Sequence, residues 1–432
     1  MSRTDRAALT RRDLGKAAGL AAMGTTAAGA TLLTGCSSGS PKEVRAAAAA
    51  RSWRVKGKAL AGLGSFDATL KSFMRERDIP CGQLAVVRKG KLVLARGYTY
   101  AEDGHLTTQP TSLFRVASLS KPVTAAAVLR LAQDGKIKLT DRVATLLSLH
   151  TSADPRLKDV TVWRLLQHLG GWDRDVSSDV MFQDAAIARA LGVPLPVTRA
   201  NIMKYASARR LDHAPGTKYA YSNYGYLLLG RIIEKAGGQG YAKYVQQKVL
   251  GPRGITRMRL GRTLTRASGE VPCYSTYTGT TVFDGSGKKV PSPYGAFNLE
   301  NMDAHGGWLA TAMDLTRFAC IFDGGTSVLN SSSINRAFAK PETGINGDGW
   351  YYGCGWSVRP VSGGGRNTWH SGSLPGTYTL LVRRHDGLSW AVLFDQRQEG
   401  DAANYAGIDS LLHKAANAVT RWPSGDLTST YF

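Results

Sequence analysis

Strand-like patterns sit at the two ends of this 432-residue chain, with a long helical stretch between them. Near the start, "GQLAVVRKGKLVLARGYTY" reads as two strands joined by a turn at Lys89-Gly90. Just ahead of it, "FDATLKSFMRERDIP" places Phe66, Leu70, Phe73 and Met74 at helical spacing, and Pro80 stops the run. In the last third, "YGCGWSVRP", "TYTLLVRRHDG" and "SWAVLFDQR" are further strand candidates. A helix around "ATAMDLTRFACIF" precedes them and another, "YAGIDSLLHKAANAV", follows. The middle is mostly helix and loop, with "YLLLGRIIEKAGGQGYAKYVQQKVL" as its clearest amphipathic helix pair and "TTVFDGSGKKV" as a hairpin. A sheet drawing strands from both ends forces the chain to close on itself. The expected class is α/β (α+β), with a mostly helical region inserted in the middle.

The first 36 residues stand apart from this fold. "TRRDLGK" supplies the pair Arg11-Arg12, and a short Ala/Gly/Leu stretch then ends in "LTGC". That order reads as a twin-arginine export signal joined to a lipobox, with Cys36 as the lipidated residue. The expected location is the outer face of the cytoplasmic membrane, through a lipid anchor. Residues 37–65 lack a clear apolar period and read as a tether. The globular domain is then expected over 66–425, its α/β part about 66–125 and 290–425 and its helical part about 126–289.

Charge and cysteines narrow the partners. The net charge is +23, of which residues 1–35 hold +3, so +20 remains in the rest. Outside a membrane such a surface suits anionic headgroups or cell-wall polymers, or serves solubility alone. No zinc-finger spacing or long basic block supports nucleic-acid binding. Cys81, Cys273, Cys320 and Cys354 form no metal-ligand spacing, so neither a metal nor another cofactor is expected. Their thiols are either free and buried or paired in one of three ways that sequence cannot rank.

The stretch with chemical content is "FRVASLSKPVTAAAVLRLAQDGKIKLTD". Ser118 and Lys121 are three apart at a helix start, so they share a face and the amine reaches the hydroxyl. Pro122 agrees, because proline is tolerated in a first turn. The positive end of the helix and a poorly hydrated cleft both disfavour a charged lysine, which frees it to act as a base. S-x-x-K alone is weak evidence; "SGKK" at Ser286 to Lys289 repeats it in what reads as an exposed loop. Its strength comes from company. "YAYSNYGYLLLG" carries Tyr221-Ser222-Asn223 ahead of an apolar helix, and "NTWHSGSLPGTYTLLV" carries His370-Ser371-Gly372 at the entry to a strand pattern. Taken singly, Tyr221, Asn223 and His370 also read as a buried phenol, a helix cap and a strand-edge residue.

In this order the three motifs resemble the serine β-lactamase and penicillin-binding protein superfamily. The branch is the one containing class C β-lactamases, D-Ala-D-Ala carboxypeptidases, related esterases and D-aminopeptidases. The resemblance covers roughly residues 66–420 and includes "APGTKYAYSNYGYLLLG" and "HGGWLATAMDLTRF". It implies an antiparallel sheet flanked by helices, of β-lactamase/transpeptidase type. It also implies Ser118 as nucleophile, with Lys121 and Tyr221 sharing the proton traffic. Asn223 would bond the acyl side of the substrate, and the backbone N–H groups of Ser118 and Ser373 would hold the oxyanion. Gly372 would leave room for substrate beside its strand.

Two departures shape the expected activity. Many penicillin-recognising relatives carry lysine where this chain has His370, and a neutral imidazole offers less to a substrate carboxylate. "HLGGW", from His168, stands where relatives often show H-T-S-G, and no catalytic role is assigned there. His305, ahead of Gly306-Gly307, is likewise left without a role. The resulting expectation is a monomeric serine hydrolase cleaving an amide or ester in a small molecule or peptide, peptidoglycan stem peptides included. A carboxylesterase, a D-amino-acid amidase, or a penicillin- or wall-binding protein with little turnover are the alternatives.

Overall fold

The structure is a computed structural model, and it describes residues 51–432. The reading of Arg11-Arg12 and Cys36 lies outside those residues. Among the described residues no helix is long and apolar enough to cross a membrane, and Cys81, Cys273, Cys320 and Cys354 are free thiols.

The element order begins with strand β1 (Ser52–Ala59), helix α1 (Gly64–Glu76) and the strand pair β2 (Cys81–Arg88) and β3 (Lys91–Ala101). Lys89 and Gly90 both take positive φ, 48° and 78°, closing β2 onto β3 as the sequence predicts. Helix α2 (Ser120–Gln133) opens the helical region and α3 (Asn223–Gly237) lies near its end. Helix α4 (Ala312–Ala319) then returns the chain to the sheet. The sheet is completed by β4 (Tyr351–Tyr352), β5 (Ser357–Pro360), β6 (Arg366–Leu374), β7 (Thr377–Arg383) and β8 (Leu388–Phe394), and α5 (Ile408–Asn417) follows. The eight strands run β1-β3-β2-β8-β7-β6-β5-β4, every neighbouring pair antiparallel. β2 against β8 is the seam at which the two ends of the chain meet.

Alternation along the strands explains the layers. Leu84 and Val86 of β2, with Trp390, Val392 and Phe394 of β8, join Phe66, Leu70, Phe73 and Met74 of α1 and Ile408 and Leu412 of α5 in one core. Their neighbours Ala85, Val87, Ala391 and Leu393 face the other way, into a core shared with Met313 and Leu315 of α4 and with the helical region. A sheet covered on both faces needs apolar residues at every position, which is why β2 and β8 read as continuous apolar runs. Gln83, 1% exposed, ties these layers together. Its Nε2 donates to the carbonyls of Gln109 (2.6 Å) and Ser112 (2.7 Å), and its Oε1 accepts from the Ala312 N–H at 2.9 Å.

Three boundaries differ from the sequence reading. The tether expected over 37–65 is not one in its second half, because Ser52–Ala59 pairs with β3 along its whole length. That strand was hidden by its edge position: Lys56 and Lys58 stay in water, Arg54 is half-buried, and only Trp53, Val55 and Ala59 meet the core. At the other end the domain runs past 425. Tyr431 accepts the Lys58 N–H on its hydroxyl, and Phe432 lies under the guanidinium groups of Arg257 and Arg317. The sheet strands of the last third begin at Tyr351, whereas residues from 290 up to there supply short strands outside that sheet, α4 and further helix.

Arg115 anchors the segment that leads to Ser118. Its side chain and that of Glu270 are 1% and 0% exposed, paired at 2.9 Å. The same guanidinium also donates to the carbonyls of Pro293 (2.7 Å) and Arg262 (3.0 Å). A buried charge left without its partner costs several kcal/mol, far more than an exposed pair is worth. Glu270→Gln is therefore expected to destabilise the domain by about 3 kcal/mol, read as a fall in the urea midpoint at unchanged m-value.

Candidate active site

The nucleophile candidate sits on a turn held from three sides. The Val116 N–H donates to the Trp308 carbonyl, and the Thr379 and Thr377 hydroxyls of β7 donate to the carbonyls of Val116 (3.0 Å) and Arg115 (2.7 Å). Ala117 then takes φ of +46°, which a residue with a Cβ rarely adopts. Its side chain is wholly buried against Phe297, Leu299, Met302 and Leu374, and this packing offsets the strain. Ser118 follows in a short 3-10 turn, and α2 begins at Ser120.

α2 is buried from Ser120 through Leu129, so Lys121 is driven into the interior with it. The Lys121 ammonium position is surrounded by acceptors: Ser118 Oγ at 2.9 Å, Asn223 Oδ1 at 2.7 Å and the His305 carbonyl at 3.0 Å. Burial, reinforced by Arg174, holds its pKa well below the usual lysine value, against an upward pull from Asp179. Tyr221 lies beside the pair, its ring centre 4.6 Å from Lys121 Nζ. Burial pushes its phenol pKa up, and hydrogen bonding to Ser118 pulls it partly back. The phenol therefore stays protonated while the amine is disposed to lose its proton.

His370 is also neutral, and its tautomer follows from its neighbours. The Ser371 carbonyl, 2.6 Å from Nδ1, can only accept, so Nδ1 carries the proton. Nε2 then accepts from the Tyr352 hydroxyl at 2.8 Å. Burial and the nearby Lys121 push the imidazole pKa down to about 3. His370 thus has neither the charge nor a free nitrogen to meet a substrate carboxylate. Ser118, Tyr221, His370, Ser371 and Ser373 line one cleft of about 630 Å³, joined by Arg174, Tyr219 and Trp369. Arg174 is exposed and its guanidinium lies 4.8 Å from the centre of the Tyr221 ring. It, and not His370, is the cation beside Tyr221.

Two expected site residues also have structural partners. A Cβ on Gly372 would lie 2.3 Å from the Val116 carbonyl, 2.4 Å from Thr379 Oγ1 and 3.1 Å from the Ser118 backbone nitrogen. The glycine lets β6 approach the nucleophile turn, a packing requirement in addition to the room expected for substrate. Asn223 has both polar atoms engaged within the protein, Oδ1 by Lys121 and Nδ2 by Asp179 at 2.5 Å. It holds the lysine, and the second N–H of Nδ2 remains for the substrate contact expected of it.

Three contributors were not legible as such. Asp179 belongs to a loop stretch that carries no motif. His305 takes part through its backbone carbonyl, which no side-chain motif announces. His168 lies with its ring 4.3 Å from that of Tyr221 and 4.4 Å from that of Tyr352, accepting the Ser222 N–H on Nδ1. It wedges the two tyrosines, so the "HLGGW" stretch does support the site. By contrast, Ser286 of the second S-x-x-K is exposed and bonded to Asp284, as expected of a loop.

A sequence model of the Beta-lactamase family matches residues 66–413. The chain belongs to that family. Among curated relatives, "Protein flp" of Staphylococcus aureus (strain NCTC 8325 / PS 47) is 28% identical over 200 residues, 46% of this chain and 38% of that protein. The chain thus covers well under half the length of that relative. Among solved structures, the octameric penicillin-binding protein homologue from Pyrococcus abyssi superposes with a TM-score of 0.62 at 24% identity, over 82% of this chain and 77% of that one. The D-amino acid amidase from Ochrobactrum anthropi SV3, complexed with D-phenylalanine, gives 0.64 at 18%, over 84% and 100%. These likenesses establish a serine β-lactamase/transpeptidase fold, with its antiparallel sheet and flanking helices.

The approach of β6 to the nucleophile turn is testable. Gly372→Ala forces the Val116 carbonyl away and is expected to lower ester kcat/KM at least about tenfold, since misplacing a nucleophile by an ångström costs that much or more. Thermal unfolding should fall with it, as overpacking costs about 1–3 kcal/mol.

Proposed function

We propose that this protein is a serine hydrolase that cleaves an amide or ester through an acyl-enzyme on Ser118. The observation that carries the proposal is the fully buried Lys121 amine 2.9 Å from Ser118 Oγ, with a protonated Tyr221 beside both. Lys121 takes the Ser118 proton as Oγ attacks the carbonyl carbon, and the oxyanion is received by the backbone N–H groups of Ser118 and Ser373. Tyr221 gives its proton to the departing nitrogen or oxygen and regains one from the Lys121 ammonium. Water then attacks the acyl carbon, its proton passing back along the same pair, and Ser118 is released protonated.

The substrate reading is a peptide or amino-acid amide or ester of the kind handled by penicillin-binding relatives and amidases, with peptidoglycan stems in range. Efficient β-lactam turnover is disfavoured, because a neutral His370 capped by Tyr352 offers no charge to the penicillin carboxylate. Arg174 would receive an anionic substrate group instead. Export by the twin-arginine route and anchoring through Cys36 accord with an extracytoplasmic wall substrate, and the protein would act as a monomer without metal or cofactor.

Ester hydrolysis by the soluble domain is expected to rise with pH along a limb whose midpoint lies well below the ordinary lysine value of about 10.4. His370 should add no inflection between about pH 5 and 8, where an ordinary histidine titrates. Ser118→Ala should lower turnover at least about a thousandfold, and intact mass should show the acyl adduct on wild type only. Wild-type rates in Ser118→Ala would remove the assignment. Cys36→Ala should release the mature protein from membranes, and retained attachment would remove the anchor.

A further inference from the structure

We propose that Asp179 is a positioning residue for the catalytic lysine, acting through the amide of Asn223; the inference rests on the serine-hydrolase reading above. Of the three groups around Lys121 Nζ, two are carbonyl oxygens, those of Asn223 and His305, and neither has a proton to give. Ser118 is the third and carries the O–H. A neutral amine has two N–H donors and one lone pair. With both N–H groups turned to the carbonyls, the lone pair must face the Ser118 hydroxyl, which is the orientation a base requires.

That assignment holds only while Asn223 shows its oxygen to the amine. Turned over, the amide would aim an N–H at the lone pair and compete with Ser118. Asp179 decides between the two, since a carboxylate only accepts and its Oδ2 lies 2.5 Å from Asn223 Nδ2. The carboxylate is itself fixed. Its Oδ1 accepts the Met181 N–H at 3.1 Å, and the Asp179 carbonyl accepts the Phe182 N–H at 3.0 Å. Ser178, just before it, adopts φ 65° and ψ 158°, a conformation almost confined to glycine. A strained residue directly ahead of a carboxylate aimed at the catalytic amide is an independent sign that the loop is built to place Asp179.

Charge supplies the discriminating readout. Asp179 favours the charged lysine, while burial and Arg174 oppose it. The other groups facing the amine are the rings of Tyr221 and Tyr226, with His168, His305 and His370, all kept neutral by burial. Removing the Asp179 charge must therefore lower the Lys121 pKa. Collapse of the loop would instead rehydrate the amine and raise it. The two effects have opposite signs.

The experiment compares wild type, Asp179→Asn and Asp179→Glu in p-nitrophenyl ester hydrolysis across pH, with the Lys121 Cε resonance titrated by NMR in the same proteins. Asp179→Asn is expected to lower kcat about tenfold with KM within about twofold, while the acid limb and the Lys121 midpoint move to lower pH. Asp179→Glu, which keeps the charge, should recover most of the rate. An unchanged rate, or a limb that stays or moves up, overturns the proposal. Should wild type show no Ser118-dependent turnover, the hydrolase reading fails. The NMR midpoint still decides for Asp179: a fall in Asp179→Asn supports the contact, and no fall removes it.

Discussion

One lysine amine taken wholly out of water organises this structure. Removing a cation from solvent costs several kcal/mol unless acceptors replace its hydration or the proton leaves. The chain does both things for Lys121. It supplies three oxygens, from Ser118, Asn223 and His305, on three separate elements, and it encloses them so thoroughly that the neutral amine gains ground. The unusual features nearby serve this arrangement. The burial of α2 from Ser120 through Leu129 carries the amine at its start into the interior; Ala117 accepts a left-handed conformation at the turn that leads to Ser118; Gly372 lets β6 close over that turn.

The same enclosure sets the charge state of everything else in the cleft. Burial holds His168, His305 and His370 neutral, and whenever Lys121 carries a proton its charge acts in the same direction. The tyrosines are held protonated for the mirror-image reason. In the proposed mechanism proton transfer is thus confined to one serine, one lysine and one phenol, with the surrounding aromatic and imidazole rings as a low-dielectric wall. At the rim Arg174 stands exposed over Tyr221.

Motifs whose members are close in sequence were legible, because local geometry alone brings them together. Ser118 and Lys121 share a helical face whatever surrounds them, and Lys89-Gly90 closes its hairpin by backbone preference. The continuous apolar runs of β2 and β8 announce strands buried on both faces, and the helical spacing of α1 announces which of its side chains face inward. Asp179 and the carbonyl of His305 carry no such signal: one is a common loop residue, the other is not a side chain at all. β1 escaped for a different reason. An edge strand half in water needs few apolar residues, so Ser52–Ala59 looks like a tether until β3 lies beside it.

Sequence by itself determined the class of fold and most of its strands and helices through periodicity, and it paired Ser118 with Lys121 through a spacing of three; Tyr221, a hundred residues on, joined them only through the resemblance of the motifs taken in order. Tertiary structure alone decided their chemical state. Whether the lysine is a base, whether His370 is a cation, and whether Asn223 serves substrate or lysine depend on burial and on partners up to 184 residues away along the chain. Those contacts exist only once the two ends of the chain have closed the sheet and the helical region has been packed against it, because desolvation is a property of the assembled interior and of no local stretch.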